Sequence, residues 1–138
     1  MNTRRAAVVL ASLAVVVIVS ITCFNFFCFG QQLVYTTISV SDARAMLQFS
    51  SNVLVVDVRT TEEYAQGHLK GAINIPLSDL PLQISGLEQN RPILVYCQTG
   101  YRSAQASSIL VNAGFTKVYN LEGGITAWIN SGYPTVNP

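Results

Sequence analysis

Two short apolar runs constrain the fold most, because each is bounded by turn signals and ends in a polar or reactive residue. Residues 53–56 read Val-Leu-Val-Val and lead into Asp57, and Ile93–Tyr96 lead into Cys97. Continuous apolar runs of this length predict strands buried on both faces, as in a parallel sheet covered by helices. Helix signals lie between the runs. This alternation predicts an α/β domain whose central, mainly parallel sheet is flanked by helices on both sides.

Local signals place the other elements. A threonine before two glutamates, at Thr60 or Thr61, predicts a helix with acidic residues in its first turn. The pair Gly123-Gly124 is interpreted as a tight turn ahead of a last helix through Trp128. Turn residues and apolar patterns predict helices from Ser41-Asp42 and from a serine after Cys97 to about Ala113, and strands at residues 33–39, 72–75 and 115–119.

Cys97 stands between a strand and a helix. Backbone N–H groups at a helix start have no intrahelical partner, and the helix dipole adds partial positive charge there. A thiolate at this position is therefore favoured over the thiol, although an inert buried thiol is the alternative. Ligands of such sheets bind beyond the carboxyl ends of the strands. The sequence thus offers Cys97 as a reactive sulfur at a binding edge.

Cysteine and charge counts narrow the chemistry. Cys23 and Cys28 lie in the apolar amino-terminal segment, so Cys97 is the one cysteine of the remaining chain and forms no disulfide within it. With His68 as the single histidine, no Cys/His metal site is expected, and no cofactor is predicted. After Gln31 the chain carries six basic and seven acidic residues, without the clustered Lys and Arg of a nucleic-acid-binding protein.

The first 30 residues predict a membrane element. Arg4 and Arg5 precede residues 6–29, which hold no charge and match the about 20 residues that a membrane-spanning helix needs. The basic residues on the amino side predict an extracytoplasmic domain, periplasmic or on the cell surface. A signal peptide cleaved after Gly30, with a secreted product, is the alternative. We therefore expect an anchor at residues 1–30 and a domain at 33–136.

Four motifs in order resemble a known family: DVRTTEEY at 57–64, GHLKGAINIP at 67–76, YCQTGYRSA at 96–104 and LEGGITAW at 121–128. Together they resemble a single-domain rhodanese, a rhodanese-like sulfurtransferase, over residues 33–136. The resemblance implies the rhodanese-like fold. It also implies that Cys97 takes a sulfane sulfur from thiosulfate or a related donor, becomes a persulfide, and passes the sulfur to cyanide or a thiol.

The same resemblance defines the candidate site. Backbone amides of the loop after Cys97 would surround the added sulfur, and a glycine in that loop would let the chain turn. Arg102 would either steer an anionic donor or hold the loop to a carboxylate. Asp57 and Arg59 flank a strand end and are expected to form a structural ion pair or a hydrogen bond that holds the loop, with a role in the chemistry as the alternative. The loop residues are Gln98, Thr99, Gly100, Tyr101, Arg102 and Ser103.

Three further functions stay open at this point. Phosphatases and arsenate reductases that share the fold have five residues between cysteine and arginine, whereas four separate Cys97 from Arg102, and Tyr96 stands where their histidine would be. A membrane-anchored, non-catalytic binding module is the second such function, and a thiol redox relay is the third. Expected partners are a small sulfur-donor anion, a thiol or cyanide acceptor, an unidentified protein acceptor and a membrane contacted by residues 6–29.

Overall fold

The strands form one parallel sheet. A computed structural model describes residues 34–137. Its strands are β1 (Thr36–Ile38), β2 (Leu54–Asp57), β3 (Ala72–Asn74), β4 (Ile93–Tyr96) and β5 (Val118–Leu121). They lie in the order β1-β5-β4-β2-β3, and every neighbouring pair is parallel. The predicted parallel sheet is confirmed, and β4, which carries Cys97 at its end, lies at its centre, where all four strand residues are buried.

Helices cover both faces of this sheet. They are α1 (Val40–Phe49), α2 (Thr61–Ala65), α3 (Leu80–Gln83), α4 (Tyr101–Asn112) and α5 (Gly124–Asn130), with a 3-10 turn at Ile84–Gly86. One apolar cluster packs α3 and α4 against one face through Leu80 and Leu110. A second cluster packs α1 and α5 against the other face through Ala43 and Trp128. The predicted two-sided arrangement is therefore confirmed.

Two predicted boundaries were wrong. Helix α1 begins at Val40 instead of Ser41, because Ser39 takes the cap position and its hydroxyl accepts a hydrogen bond from the Asp42 N–H. The last strand covers Val118–Leu121 instead of 115–119. Phe115 is buried before the strand begins, so its apolar character reflects core packing and not strand pairing.

The predicted start of α2 is confirmed at Thr60. The Thr60 hydroxyl accepts from the Glu63 N–H, and the Glu63 carboxylate accepts from the Thr60 N–H at 2.9 Å. This reciprocal capping box satisfies two backbone donors that the helix itself leaves free. It also fixes the Glu63 side chain at the carboxyl edge of the sheet.

The predicted anchor or signal peptide at residues 1–30 lies outside the described residues. Within residues 34–137, no helix combines the length and apolarity needed to cross a membrane.

Candidate active site

Cys97 directly follows the central strand β4 and is fully buried. Its Sγ accepts a hydrogen bond from the Gly100 N–H at 3.1 Å and one from the Ser103 hydroxyl at 3.4 Å. Sulfur is a weak acceptor as a thiol and a strong one as a thiolate, so both contacts favour the ionised form. The loop therefore folds back over the sulfur of Cys97 and surrounds it with donors.

These donors decide the ionisation of the thiol. Burial opposes ionisation, yet hydrogen bonds from the Ser103 hydroxyl and from the backbone N–H groups of Ser103, Thr99 and Gly100 outweigh burial and lower the pKa of Cys97. A lowered thiol pKa raises the fraction of thiolate near neutral pH, and the thiolate is the nucleophile.

The loop reaches the helix at Gly100 and not at a serine as predicted. Gly100 has a φ of +97° and stands at the cap of α4, which begins at Tyr101. This left-handed conformation strongly favours glycine. Ser103 lies inside the first turn, where its single hydroxyl proton is shared between the Gly100 carbonyl oxygen at 3.1 Å and Cys97 Sγ at 3.4 Å. The serine therefore holds the sulfur instead of starting the helix.

The start of α5 holds the Cys97 loop through backbone hydrogen bonds, and the sequence did not predict this contact. The N–H of Ile125 donates to the Cys97 carbonyl at 2.9 Å, and the N–H of Thr126 donates to the Gln98 carbonyl at 3.1 Å. A Cβ on Gly124 would lie 2.4 Å from the Cys97 carbonyl oxygen. In the pair Gly123-Gly124, which was predicted as a tight turn, Gly123 caps α5 and Gly124 packs against the Cys97 carbonyl oxygen. The position of this pair directly after a strand end was the sequence signal for the contact.

Asp57 and Arg59 form a buried ion pair beside the loop. Arg59 Nη2 lies 2.7 Å from Asp57 Oδ2, and the exposed fractions of the two side chains are 5% and 0%. The same nitrogen donates to the Gly67 carbonyl oxygen at 2.7 Å. Arg59 Nη1 lies 3.5 Å from the Gln98 side-chain oxygen. The pair therefore connects β2 to the segment before β3 and to the first loop residue.

Gln98 is held at both ends of its amide. Its oxygen faces Arg59, and its nitrogen donates to the Thr126 hydroxyl of α5 at 2.9 Å. Because the Gln98 backbone also bonds to α5, this residue ties the Cys97 loop to two neighbouring elements.

Arg102 pairs with a carboxylate. Its two terminal nitrogens lie 2.8 and 2.7 Å from the two oxygens of Glu63, the residue that also caps α2. The hydrogen bond from Arg102 is the main cause that lowers the pKa of Glu63 to about 2. Of the two roles considered for Arg102, this contact matches the one that holds the loop.

The other two loop side chains reach solvent. Thr99 is exposed, and Tyr101 is 73% exposed at the start of α4. The fold thus brings all the predicted site residues to one edge of the sheet, with Cys97 below the surface and Tyr101 outside.

A family model described as "Rhodanese-like domain" matches residues 39–131. The chain belongs to the rhodanese-like domain family. The predicted single rhodanese-like domain is therefore confirmed, and its fold with it.

Relatives of similar size carry transferase names. "Sulfurtransferase" of Allochromatium vinosum is 40% identical over 89 residues, which cover 64% of this chain and 83% of that protein. "Thiosulfate sulfurtransferase 16, chloroplastic" of Arabidopsis thaliana is 40% identical over 112 residues, covering 72% and 92%. The crystal structure of a rhodanese-related protein from Thermoplasma volcanium matches with a TM-score of 0.70 at 35% identity, over 75% of this chain and 100% of that one. These likenesses support a rhodanese-type transferase.

Proposed function

We propose that the domain is a sulfurtransferase that carries a sulfane sulfur on Cys97. The observation that carries the proposal is the donor set around Sγ, formed by the Gly100 N–H and the Ser103 hydroxyl over a buried thiol. A fixed set of donors stabilises negative charge on sulfur without rearrangement during the reaction. Residues 98–103 form the cradle, and Asp57 and Arg59 support it.

The reaction is balanced without a cofactor. The Cys97 thiolate attacks the outer sulfur of thiosulfate, a new S–S bond forms, and the donor's S–S bond breaks with its electron pair leaving on sulfite. A thiol or cyanide then attacks the terminal sulfur, and the bond to Cys97 Sγ breaks and restores the thiolate. Backbone N–H groups that hold the first thiolate face the charge of the persulfide in turn.

The spacing and pairing of Arg102 support sulfur over a phosphoryl group. Four residues separate it from Cys97, and both of its terminal nitrogens contact Glu63. A guanidinium already in a bidentate pair lacks the free fork that grips phosphate oxygens.

The amino-terminal sequence supports a location. We propose that residues 6–29 anchor the chain in a membrane with the domain on the extracytoplasmic side, since Arg4 and Arg5 precede the apolar segment. Cleavage after Gly30 would instead release the domain. Migration of the mature protein in membrane and soluble fractions distinguishes the two outcomes.

Sulfur loading tests the proposed activity. The full chain is incubated with thiosulfate, and we expect the peptide that contains Cys97 to gain the mass of one sulfur atom, which cyanide then removes. The Cys97→Ser variant is the control and gains nothing. If the wild-type chain stays unloaded where an active rhodanese loads, the proposal is wrong.

A further inference from the structure

Acidic residues collect at the edge of the sheet where Cys97 lies. In a parallel sheet the residues that follow the strands share the carboxyl edge. Six of the seven acidic residues of the chain end a strand, follow one or lie in the first turn of the helix after it. The seventh, Glu88, precedes β4, and its neighbour Gln89 bonds to the end of α4 at the opposite edge. The six are Asp42, Asp57, Glu62, Glu63, Asp79 and Glu122.

Basic residues are distributed differently. Arg91 and Lys117 precede β4 and β5 and so lie at the opposite edge, where Arg91 Nε donates to the Asn52 carbonyl. Arg44 and Lys70 line a groove of about 510 Å³ beside α1, which none of residues 97–103 lines. Arg91 and Lys117 therefore lie at the edge opposite Cys97, and Arg44 and Lys70 line a groove to which the Cys97 loop does not contribute.

Both basic residues near the loop are already neutralised. Arg59 pairs with Asp57 at 2.7 Å, and Arg102 pairs with Glu63 at 2.7 Å. Within residues 34–137, no further arginine or lysine lies in the loop or the first helical turn after a strand. The net side-chain charge of these segments is consequently negative.

Two carboxylates without a cationic partner among residues 34–137 stand next to residues that contact the loop. Glu62 is exposed and adjoins Glu63, which binds Arg102. Glu122 is also exposed and adjoins Gly123, whose backbone nitrogen would lie 3.3 Å from a Cβ built on Gly100. Neither carboxylate has a cationic partner within 4.0 Å in the described part of the chain. At an ionic strength of 0.1 M, charges act over a Debye length of about 10 Å, so both repel an anion that approaches the loop.

We propose that the sulfur carrier that exchanges with Cys97 has no net negative charge, and that a cysteine thiol or persulfide on a basic protein segment is the type that fits. The amide cradle binds the sulfur itself, while the carboxylates around it select what the sulfur is attached to. Tyr101, 73% exposed beside the loop, adds an apolar contact for such a segment. Thiosulfate, a dianion, loads Cys97 as a slow substitute. The inference rests on the proposed function.

The exchange needs no further reactant. The carrier thiolate attacks the terminal sulfur on Cys97, a new S–S bond forms on the carrier, and the electron pair of the broken bond stays on Cys97 Sγ. In the reverse direction Cys97 takes the sulfur from a carrier persulfide by the same steps.

Discharge by small thiols of different charge tests the inference. The full chain is loaded with thiosulfate, and the loss of sulfur is timed with cysteamine (cationic), 2-mercaptoethanol (neutral) and mercaptosuccinate (anionic), with rates expressed per thiolate. We expect cysteamine to react about tenfold faster than mercaptosuccinate at low salt. Added salt should slow the cation and speed the anion, since screening weakens both effects.

A matched pair of variants locates the effect. Glu122→Gln should raise the rate with mercaptosuccinate, whereas Glu88→Gln makes the same charge change at the opposite edge and should leave the rate unchanged. Equal rates for the three thiols, or a faster anion at low salt, would overturn the charge preference alone. A chain that never loads would instead remove the proposed function, and this inference with it.

Discussion

Two guanidinium–carboxylate pairs hold the Cys97 loop, and they differ in their surroundings. Asp57 and Arg59 are buried, and their contacts include a backbone carbonyl and the side chain of Gln98. Glu63 and Arg102 have similar N–O distances, but about a third of each side chain is exposed. Water screens the second pair and hydrates either partner when the other is removed, whereas the first pair has no such replacement.

Similar N–O distances therefore do not imply similar free energies. The buried pair is expected to be costly to break because a lone charge would remain without solvent. The exposed pair is expected to set the position of α4 relative to α2 at little cost to the free energy of unfolding.

Breaking the buried pair should have the largest effect. Asp57→Ala leaves Arg59 charged and buried, and we expect the free energy of unfolding of the full chain to fall by about 3–5 kcal/mol. Urea denaturation measures it. The double variant Asp57→Leu with Arg59→Leu should recover part of the loss, since neither charge remains. If Asp57→Ala lowered the free energy of unfolding only as much as breaking an exposed pair does, burial would not distinguish the two pairs.

The close contact between Gly124 and the Cys97 loop should give the next largest effect. Gly124→Ala places a Cβ 2.4 Å from the Cys97 carbonyl oxygen at a φ of +59°, and we expect it to cost about 1–3 kcal/mol in unfolding free energy and to slow alkylation of Cys97. Gly132→Ala is the matched control, because its φ is +79° and no atom lies within 4 Å. If both variants behave alike, backbone strain and not close contact with the loop explains the cost.

Removing the exposed pair should have a smaller effect. Glu63→Gln keeps the capping box, because glutamine also bonds to the Thr60 N–H, and removes only the charge facing Arg102. We expect a loss of about 0.2–1 kcal/mol in unfolding free energy. Glu88→Gln at the opposite edge is the control for a change in net charge. A loss near that of Asp57→Ala would show that exposure does not distinguish the pairs.

The pH dependence of the stability that the exposed pair provides should be the smallest effect, because water screens the pair and makes its contribution smaller than the shift in the pKa of Glu63 alone would give. The pKa of Glu63 falls from an ordinary 4.5 to about 2, so its stabilisation is present above pH 4.5 and is lost as the pH falls through 2. Thermal unfolding of the wild-type chain should therefore lose more stability over this window than that of Glu63→Gln. Identical slopes in the two proteins would contradict the assigned cause.

The sequence predicted the parallel sheet, its helices and Cys97 at a strand end, because apolar runs and the motif spacing are local signals. It did not predict that the Ser103 hydroxyl donates a hydrogen bond to the sulfur of Cys97, or that Gly124 packs against the Cys97 carbonyl oxygen. Both roles depend on which residues meet across the loop: Ser103 on Sγ, and Gly124 on the Cys97 carbonyl. The partner of Arg102 was likewise undecided until the fold brought Glu63 to it, 39 positions away along the chain.

The loop stabilises the Cys97 thiolate, and the pH dependence of thiol alkylation measures that stabilisation. Rates with iodoacetamide on the full chain, read on the peptide that contains Cys97 and so without Cys23 and Cys28, should give a midpoint below 9.0, the ordinary pKa of a thiol. Ser103→Ala should shift the midpoint upward because a donor to Sγ is lost, while Ser108→Ala, an exposed serine of α4, should not. A wild-type midpoint at or above 9.0, unchanged in Ser103→Ala, would show that the loop does not stabilise the thiolate.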